Sequence, residues 1–554
     1  MPKCPGSCKR VSRHRDVLAV LANTRQALAL IWNVSPFHTS TMIVLVLLQG
    51  LLPVARMWIT KLIVDGVIRA IASSGNNHDV YQVLLWAAIQ FGLMVVGNLI
   101  HHASLMVREL SGALLANHIS LLILEKATEL DLSFYENPVF YDRLQRAQRE
   151  AGFGPVMLLS QLFQIGRNTI SLLSVLALLL HFNWFIVIIL FLTTLPDLFV
   201  QSKYSYRDYS LRRRRTPQAR KLDYLRFLLT SDRNVKEIKL FDLSRHLLNR
   251  YIQILTRFFA ENAALSWRRN VAGFLLALLS DGGFYGSYVY VIYQTIRQNI
   301  TIGDLTLYAQ AFAQSQSYIR GILSNIAGIY EQNLFLSNLF EFLAQQPILV
   351  SHPRSRPAPT TIEKGIEFRH VSFKYPGTDH YVLRDVNLTI GVQENVALVG
   401  ENGAGKTTLI KLLCRFYDPT EGQILIDGHD IREFNLESLR SMIGVIFQDY
   451  NQYHLTAREN IGFGKIEDLD NQVRIVDAAR KSHAHQIIAR LSRGYDSVLG
   501  RWFERGEQLS IGEWQKVALA RAFMRDVPIL VCLLYTSDAA DELDGVDLGG
   551  RRII

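Results

Sequence analysis

Cysteine is scarce in this sequence, with four residues among 554: Cys4, Cys8, Cys414 and Cys532. Thiols this few and this scattered exclude the disulfide framework of a small secreted domain. Cys4 and Cys8 lie close together, but no second pair of ligand residues stands nearby, as a structural zinc site requires. We therefore expect incidental thiols.

Charged residues are also few, at 19% of the chain, against about 25% in soluble proteins. Hydrophobic residues make up 49%, which excludes a disordered or fibrous protein and suggests that much of the chain lies in lipid. No apolar run followed by a small-residue cleavage site marks a signal peptide. The formal charge of +10 is compatible with nucleic-acid binding, but basic cytoplasmic loops of a membrane protein explain it better.

Apolar segments long enough to cross a hydrocarbon core recur six times and predict six membrane-spanning helices within residues 41–340. Only His181, Phe182 and Asn183 separate the third segment from the fourth, which predicts a tight helical hairpin. The predicted spans are 41–60, 82–105, 156–180, 184–201, 271–296 and 305–329.

Basic residues predict the orientation of these spans. They gather in the N-terminal segment, residues 1–40, and at Arg212–Arg215 between the fourth and fifth spans, whereas the other face has little beyond Arg69 and Arg297. Because Lys and Arg accumulate on the cytoplasmic side, both termini are expected there. The Arg212–Arg215 run suits anchoring near anionic lipid.

Two long connections, residues 106–155 and 202–270, are expected to extend as helices beyond the bilayer, each with one break. The first break, Ser133–Ala147, contains Pro138, which cannot continue a helix. The second, Thr230–Phe241, begins with Ser and Asp residues suited to capping a new helix. Such short helices suit docking onto another domain, and simple helical packing is the alternative.

A second domain follows a proline-rich linker, residues 341–362, and extends over residues 363–531. Its short apolar runs IEFRHVSF, YVLRDVNLTI and NVALVG predict strands, the last of them a buried strand at Asn395–Val399. Directly after that run comes the complete G-x-x-x-x-G-K-[ST] pattern, followed by a helical run.

This pattern predicts a phosphate-binding loop. Its glycines let backbone N–H groups turn around phosphates, and the following helix N-terminus adds partial positive charge. Lys406 should reach the β and γ phosphates, and Thr407 should bind Mg²⁺. The predicted nucleotide-binding residues of the loop are Gly400, Glu401, Asn402, Gly403, Ala404, Gly405, Lys406, Thr407 and Thr408.

Three further pieces complete a resemblance: Tyr375 in FKYPG, Gln448 in VIFQDY and the stretch ERGEQLSIGEWQKVALARA. Over about residues 20–531 the chain resembles the ABC transporters of exporter type, in which six spans precede one nucleotide-binding domain. The resemblance implies an all-α six-helix membrane domain followed by an α/β P-loop NTPase domain. It also implies a multi-pass protein of the bacterial plasma membrane.

The family's activity is ATP-driven export by alternating access, which implies ATP and Mg²⁺ as cofactors. Such a half-transporter needs a second copy or a different second chain, since the phosphate loop and the signature face each other only across a dimer. The expected substrate is an unidentified lipid, peptide or hydrophobic small molecule, and membrane lipid is the other partner. Nucleic acid is not expected.

By resemblance, Tyr375 stacks on adenine, and Gln448 contacts Mg²⁺ and the attacking water, while Lys406 and Gln448 serve catalysis. The family's LSGGQ signature, which closes on the partner's γ-phosphate, corresponds to Leu509, Ser510, Ile511, Gly512 and Glu513. Here Ile511 is bulkier than the usual Gly, and Glu513 brings a negative charge near a phosphate. The signature is therefore either a tolerated variant or a weakened site.

The two breaks in the long connections would be coupling helices, the first of them touching the partner's nucleotide-binding domain. Asp281 in the fifth predicted span is a candidate for the substrate pathway, because an unpaired acid at membrane depth is costly. An ion pair of Asp281 with Arg56 or Arg167 inside the bundle is an equally good interpretation.

The last segment, residues 532–554, departs from the family. A strand beginning at Pro528–Val531 should be followed by Leu-Asp-Glu, whose acids serve Mg²⁺ and the attacking water, but Cys532, Leu533 and Leu534 stand there. The segment CLLYTSDAADELDGVDLGGRRII back-translates as two adapter sequences used in sequencing libraries. We interpret it as non-native, so a chain ending in this way should not hydrolyse ATP well.

Two other functions remain open. Ile511 and Glu513 favour the weakly hydrolysing subunit of a heterodimeric exporter. A regulatory or channel-like membrane protein that binds ATP without transport is the alternative of another class.

The native gene is predicted to continue past codon 531 as Leu-Asp-Glu. Sequencing genomic DNA across that codon checks this expectation. If CLLYTSDAADE is genuinely encoded, the catalytic carboxylates are missing and ATP binding without turnover becomes the leading account.

Overall fold

The computed structural model describes residues 22–73, 76–137, 140, 144–145, 147–148, 154–182, 184–351, 354–401 and 403–533. The chain divides into two compact units. The helical unit comprises Met1–Thr128 and Asp142–Gln345, and the α/β unit comprises Glu129–Tyr141 and Gln346–Ile554.

Within the described residues, six helices of the helical unit have 29 residues or more. They are α1 Pro36–Ala72, α2 Asn77–Glu129, α4 Gly154–Phe182, α5 Trp184–Thr230, α7 Ser244–Ile296 and α8 Ile302–Leu343, separated by the short α3 Leu132–Tyr135 and α6 Asp232–Leu240. Each long helix contains one predicted span, so the six-helix prediction is confirmed. By length and composition alone, four of them could cross a membrane: α1, α2, α7 and the Gly154–Leu180 part of α4.

The breaks between these helices fall where the sequence predicts them. Helix α4 ends at Phe182 and α5 begins at Trp184, which gives the tight hairpin, although Asn183 lies outside the described residues. Helix α6 follows Ser231, whose extended backbone stands at the capping position. Pro138, which marks the first predicted break, also lies outside the described residues.

Close helix packing in this unit depends on small residues. Helix α8 packs along α4 and α1, and α5 packs along α7. A Cβ on Gly50 of α1 would lie 2.4 Å from the Ile170 side chain of α4, so only glycine allows this approach. The apolar core at this level includes Val175, Leu179 and Phe312.

Arg215 does not lie free for lipid, contrary to the interpretation of the Arg212–Arg215 run. Its guanidinium donates to the Glu261 carboxylate of α7 at 2.8 Å and lies 4.7 Å from the Phe258 ring centre. The hydrogen bonds from Arg215 and Arg257 hold the pKa of Glu261 below its ordinary value. Both contact residues belong to α7, so Arg215 joins α5 to α7.

The α/β unit contains two sheets within the described residues. An antiparallel sheet has the order β2-β1-β3-β4, and a parallel pair joins β5 to β6. The strands are β1 Ile366–Phe373, β2 Leu383–Ile390, β3 Glu421–Ile426, β4 His429–Asp430, β5 Ile443–Ile446 and β6 Ile529–Cys532. The helices are α9 Lys406–Leu413, α10 Leu436–Ser441, α11 Ala457–Gly462, α12 Gln472–Lys481, α13 His485–Ile488 and α14 Ile511–Phe523.

Two apolar cores hold this unit together. The first lies between the antiparallel sheet and α9, around Phe368, Leu412 and Ile424. The second surrounds Trp514 of α14, which is 1% exposed and packs with α11 and α12. Burying a large aromatic side chain of this kind contributes on the order of 2–3 kcal/mol, which fixes the start of α14 against the rest of the unit.

The predicted strand at Asn395–Val399 is wrong. Residues 395–400 pair with no strand among the described residues, and Val399 is 92% exposed, although Val396 and Leu398 still pack against the first core. A strand forms only where a neighbour takes its backbone hydrogen bonds. In the described part of the chain, β5 and β6 pair only with each other, and neither takes the backbone hydrogen bonds of this run.

Gly422, near the start of β3, and Gly428, just after its end, give a matched test of how closely the backbone packs at these two positions. Their φ angles are +81° and +82°, but a Cβ on Gly422 would lie 2.3 Å from the His370 carbonyl oxygen, while Gly428 faces open space. Gly428→Ala should cost about 1 kcal/mol for the left-handed backbone alone. Gly422→Ala should cost at least about 2–3 kcal/mol because backbone must also move. Thermal unfolding of the intact protein checks this order, and equal midpoints would contradict it.

Candidate functional site

The phosphate loop forms a glycine-rich turn that leads directly into α9. Helix α9 begins at Lys406, and the two preceding glycines, Gly403 and Gly405, have φ angles of +88° and +93°. These left-handed conformations favour glycine and leave the first N–H groups of the helix without helical partners. The loop therefore presents donors and a helix N-terminus to an anion. Asn402 lies outside the described residues.

Lys406 is held by carbonyl oxygens. Its Nζ donates to the Gly400 carbonyl at 2.6 Å and to the Glu401 carbonyl at 2.9 Å. No described carboxylate pairs with it, so its charge is available to a phosphate. The neighbouring Thr407 is exposed, while Thr408 is buried beneath the loop.

Tyr375 lies beside the phosphate loop, although it precedes Gly400 by 25 positions in the sequence. Its hydroxyl is 3.0 Å from Thr408 Oγ1, and its ring packs edge-on against Tyr417 with centroids 5.4 Å apart. The Lys411 ammonium lies 5.5 Å from the ring centre. The structure thus brings the aromatic residue and the loop together. Adenine stacking on Tyr375 stays a prediction.

Gln448 lies exposed in the turn that follows β5. Its neighbours Phe447 and Asp449 line a cavity of about 480 Å³ together with Leu132 and Glu136 of the segment after α2. The loop of Gln448 and this segment therefore border one space in the α/β unit.

The described part of the first predicted coupling segment contacts the nucleotide-binding domain of its own chain, and the predicted contact with the partner's domain stays a prediction. Glu136 accepts hydrogen bonds from Lys411 Nζ at 2.7 Å and from the Tyr417 hydroxyl. Asp131 accepts from the backbone N–H groups of Ile348 and Leu349. The sequence shows the segment but not which copy it contacts, because its charge partner stands 275 residues away.

Tyr417 and Glu136 form a tight polar contact at this segment. Burial, and then the hydrogen bond to Glu136, raise the pKa of Tyr417 well above its ordinary value. The phenol therefore stays protonated and keeps donating to the carboxylate. This contact ties the segment to α9 through both Lys411 and the aromatic cluster.

The second predicted coupling segment ends in exposed apolar side chains. Leu240 and Phe241, at the end of α6, are 77% and 65% exposed. Two large apolar groups side by side at a helix end are typical of a contact surface.

The signature residues form the start of α14. Ser510 is the N-cap, its Oγ accepts from the Glu513 backbone N–H at 3.3 Å, and the Glu513 carboxylate accepts from the Ser510 backbone N–H at 2.8 Å. This is a capping box. The backbone N–H of Ser510, then its hydroxyl, lower the pKa of Glu513. The S-x-x-E spacing of Ser510 and Glu513 is the sequence signature of such a box, although it was not among the predicted features.

The other signature residues divide between core and surface. Leu509 is buried, whereas Ile511 is 74% exposed and Gly512 faces open space. The Tyr450 hydroxyl donates to the Ile511 carbonyl at 3.1 Å. The bulky Ile511 side chain therefore adds apolar surface at the helix start without disturbing the fold.

Asp281 does not pair with Arg56 or Arg167. It is exposed on α7, and no described basic group lies within ion-pair distance of it. Arg56 Nη2 instead donates to the Leu93 carbonyl, and Arg167 Nη2 to the Asn168 side chain. Both arginines line a cavity of the helical unit, which the sequence did not indicate.

Strand β6 covers the predicted Pro528–Val531 run except its first residue, and pairs in parallel with β5. Cys532 ends β6, and Leu533 stands at the first of the two positions where the resemblance implies a carboxylate; residues 534–554 lie outside the described residues. Within the part of the chain that the structure describes, no cluster of three His, Cys, Asp or Glu side chains could hold a metal.

Glu513→Ala should lower the stability of the α14 start by about 0.5–2 kcal/mol at neutral pH, because a capping partner is lost. Since folding lowers the pKa of Glu513, its contribution is present above the ordinary Glu pKa and is lost as pH falls through the lowered value. The free energies of unfolding of the native protein and the variant should therefore become equal as the pH is lowered. Glu513→Gln, which keeps an acceptor, is the control, and an unchanged difference at low pH contradicts the box.

Comparison with known proteins identifies the family. The ABC transporter transmembrane region matches residues 40–319, and the ABC transporter ATP-binding model matches residues 383–532. The subtilin transport ATP-binding protein SpaT of Bacillus subtilis is 27% identical over 519 residues, 93% of this chain and 83% of that protein. The nisin transport ATP-binding protein NisT of Lactococcus lactis subsp. lactis is 25% identical over 504 residues, 91% of this chain and 82% of that protein.

A solved structure shows the same fold. A bacterial Atm1-family ABC exporter with ATP bound superposes with a TM-score of 0.76 at 23% identity, covering 93% of this chain and 90% of the other. The helical unit, the α/β unit and the phosphate loop thus occur here in the order that the family requires. This chain belongs to the ABC transporters and is a multi-pass membrane exporter whose transport is coupled to ATP hydrolysis.

Proposed function

We propose that this chain binds ATP with Mg²⁺ at its phosphate loop and uses the closure of two such loops to drive export. The observation that carries this is the loop itself, with Lys406 held by carbonyls at the N-terminus of α9. The positive charge and the free N–H groups fit the β and γ phosphates. Tyr375, at the edge of the loop, is assigned to the adenine.

Thr407 and Gln448 are the residues that would hold Mg²⁺. Both side chains are exposed and offer the oxygen donors that this ion prefers. When bound, Mg²⁺ neutralises phosphate charge during phosphoryl transfer. Gln448 would also orient the attacking water, and Lys406 would stabilise the developing charge.

The partner is a second half-transporter, either another copy or a different chain. Exporters of this type function as dimers of half-transporters. The signature residues Ser510 and Gly512, at the exposed start of α14, would close on the partner's γ-phosphate. The apolar end of α6, Leu240 and Phe241, is assigned to contact with the partner's nucleotide-binding domain.

We assign the protein to a bacterial plasma membrane with both termini in the cytoplasm. The bacterial relatives and the basic residues near the first span support this assignment. Of the three substrate classes, lipid, peptide and hydrophobic small molecule, we favour peptide, because relatives named for subtilin and nisin transport align with over nine tenths of the chain.

A weakly hydrolysing role in a heterodimer is the second candidate. The Glu513 carboxylate accepts from the Ser510 hydroxyl at 2.9 Å, and that hydroxyl is one the family offers to a phosphate. Vigorous ATP turnover by the purified native gene product alone would remove this candidate.

Transport is tested with inverted membrane vesicles that contain the native gene product. We expect a substrate from a peptide and lipid panel to accumulate with ATP but not with a nonhydrolysable analogue. Lys406→Ala should lower accumulation by about tenfold to a hundredfold, because a charged phosphate contact worth about 1.5–3 kcal/mol is lost. Lys465→Ala, which removes a lysine paired with Asp468, is the matched control. Accumulation or ionic current that persists with the analogue would instead support the channel-like alternative.

A further inference from the structure

The helical unit contains a polar cavity of about 480 Å³ that no part of the nucleotide mechanism uses. It is formed by α1, α2, α4 and α8, and its lining lies within four of the predicted spans or at their ends. Its polar lining residues are Gln49, Arg56, Thr60, Gln90, Asn98, His101, Arg167, Ser171, Gln310, Gln314 and Tyr318.

Arg56 is positioned in this cavity by a glycine. Its guanidinium lies over Gly97 of α2, where a Cβ would stand 2.2 Å from Nη2. Nη2 donates to the Leu93 carbonyl at 3.3 Å, but Nε is buried and has no hydrogen-bond partner among the described residues. An unsatisfied buried donor on a charged group costs free energy that a bound acceptor would recover.

Arg167 on α4 adds a second positive charge. Its Nη2 donates to Asn168 Oδ1 at 3.4 Å, and neither it nor Arg56 pairs with a carboxylate among the described residues. No Asp or Glu lines the cavity. Two uncompensated guanidinium groups at membrane depth are costly, and the expected compensation is an anion.

The remaining lining favours a peptide over an acyl chain. Side-chain amides both donate and accept hydrogen bonds, so Gln49, Gln310 and Gln314 match the amides of a peptide backbone. Gln90 Nε2 donates to Thr60, but its Oε1 is buried without a partner and can accept a peptide N–H. An acyl chain would leave these groups unsatisfied.

We propose that this cavity binds an acidic side chain of a peptide substrate. Arg56 and Arg167 hold the carboxylate, and the surrounding glutamines hold the adjoining backbone. This inference rests on the proposed export function and names the chemical class of its substrate.

The test is equilibrium binding to the intact protein in phosphatidylcholine nanodiscs without nucleotide. Two probes are used: an N-acetylated, C-amidated hexapeptide with two glutamates, and the same peptide with glutamines instead. By calorimetry, the glutamate peptide should bind at least about tenfold more tightly, since charge-assisted hydrogen bonds exceed neutral ones. Because no ATP is present, failure here leaves the ATP-driven function untouched, and failed transport with intact binding rejects only that function.

Variants then locate the preference. Arg56→Gln and Arg167→Gln should each remove most of the tenfold preference, and Gly97→Ala should act like Arg56→Gln by displacing the guanidinium. Arg56→Lys keeps the charge and should retain part of the preference if Arg56→Gln folds poorly. Arg108→Gln is the control, since Arg108 lies outside the cavity and, among the described residues, its guanidinium donates to Ser160.

Three results would overturn the proposal. Equal affinity for the two probes on the native protein rejects an acidic ligand. If the preference for the glutamate peptide survives both arginine substitutions, the acidic side chain binds outside this cavity. Loss of glutamate-peptide binding when phosphatidylglycerol replaces part of the nanodisc lipid, with direct retention of that lipid, assigns the cavity to a lipid phosphate.

Discussion

The ion pair between Glu136 and Lys411 fixes the segment after α2 against the helix that follows the phosphate loop. Glu136 follows the end of the long helix α2, and Lys411 stands five residues after the phosphate-binding Lys406 on α9. A helix of eight residues has too little length to bend, so a displacement at its N-terminus moves Lys411 as well. The Tyr417 hydroxyl makes a second bond to the same carboxylate, and both bonds constrain the segment after α2.

Five basic residues of the two units divide into two groups by their partners. Arg215 and Lys411 pair with carboxylates, and these pairs join elements that are distant in sequence. Lys406, Arg56 and Arg167 have only carbonyl or amide partners among the described residues. The first group holds the fold, and the second group is available to anions. Both proposed ligands of this exporter, the nucleotide and the acidic substrate, are placed on the second group.

Features encoded by a short stretch of sequence were predictable. The phosphate loop follows from glycine spacing within Gly400–Thr408, and each spanning helix from its own apolar run. The capping box of Ser510 and Glu513 is equally local, and it explains why the unusual acid is compatible with the start of α14. A departure from the family pattern thus has a structural role that the resemblance alone did not supply.

Features that need a distant partner were not predictable. The strand expected at Asn395–Val399 needs a neighbour to take its backbone hydrogen bonds, and it pairs with none of the described strands, so apolar composition alone was misleading. The pairing of Arg215 with Glu261 and the cavity of Arg56 and Arg167 arise from helix packing, which a single sequence does not specify.

The central claim is that each nucleotide site is shared by two copies. Dimers with two differently tagged chains test it directly, with Lys406→Ala and Gly512→Asp placed either on the same copy or on different copies. Gly512 faces open space, so aspartate there repels phosphate without disturbing the fold. If the changes are on different copies, both fall in the same shared site, the other site stays intact, and the dimer should bind about half as much ATP as the unchanged dimer. If they are on one copy, each shared site carries one change, and almost no ATP should be bound. The reverse pattern would show that one copy completes its own site.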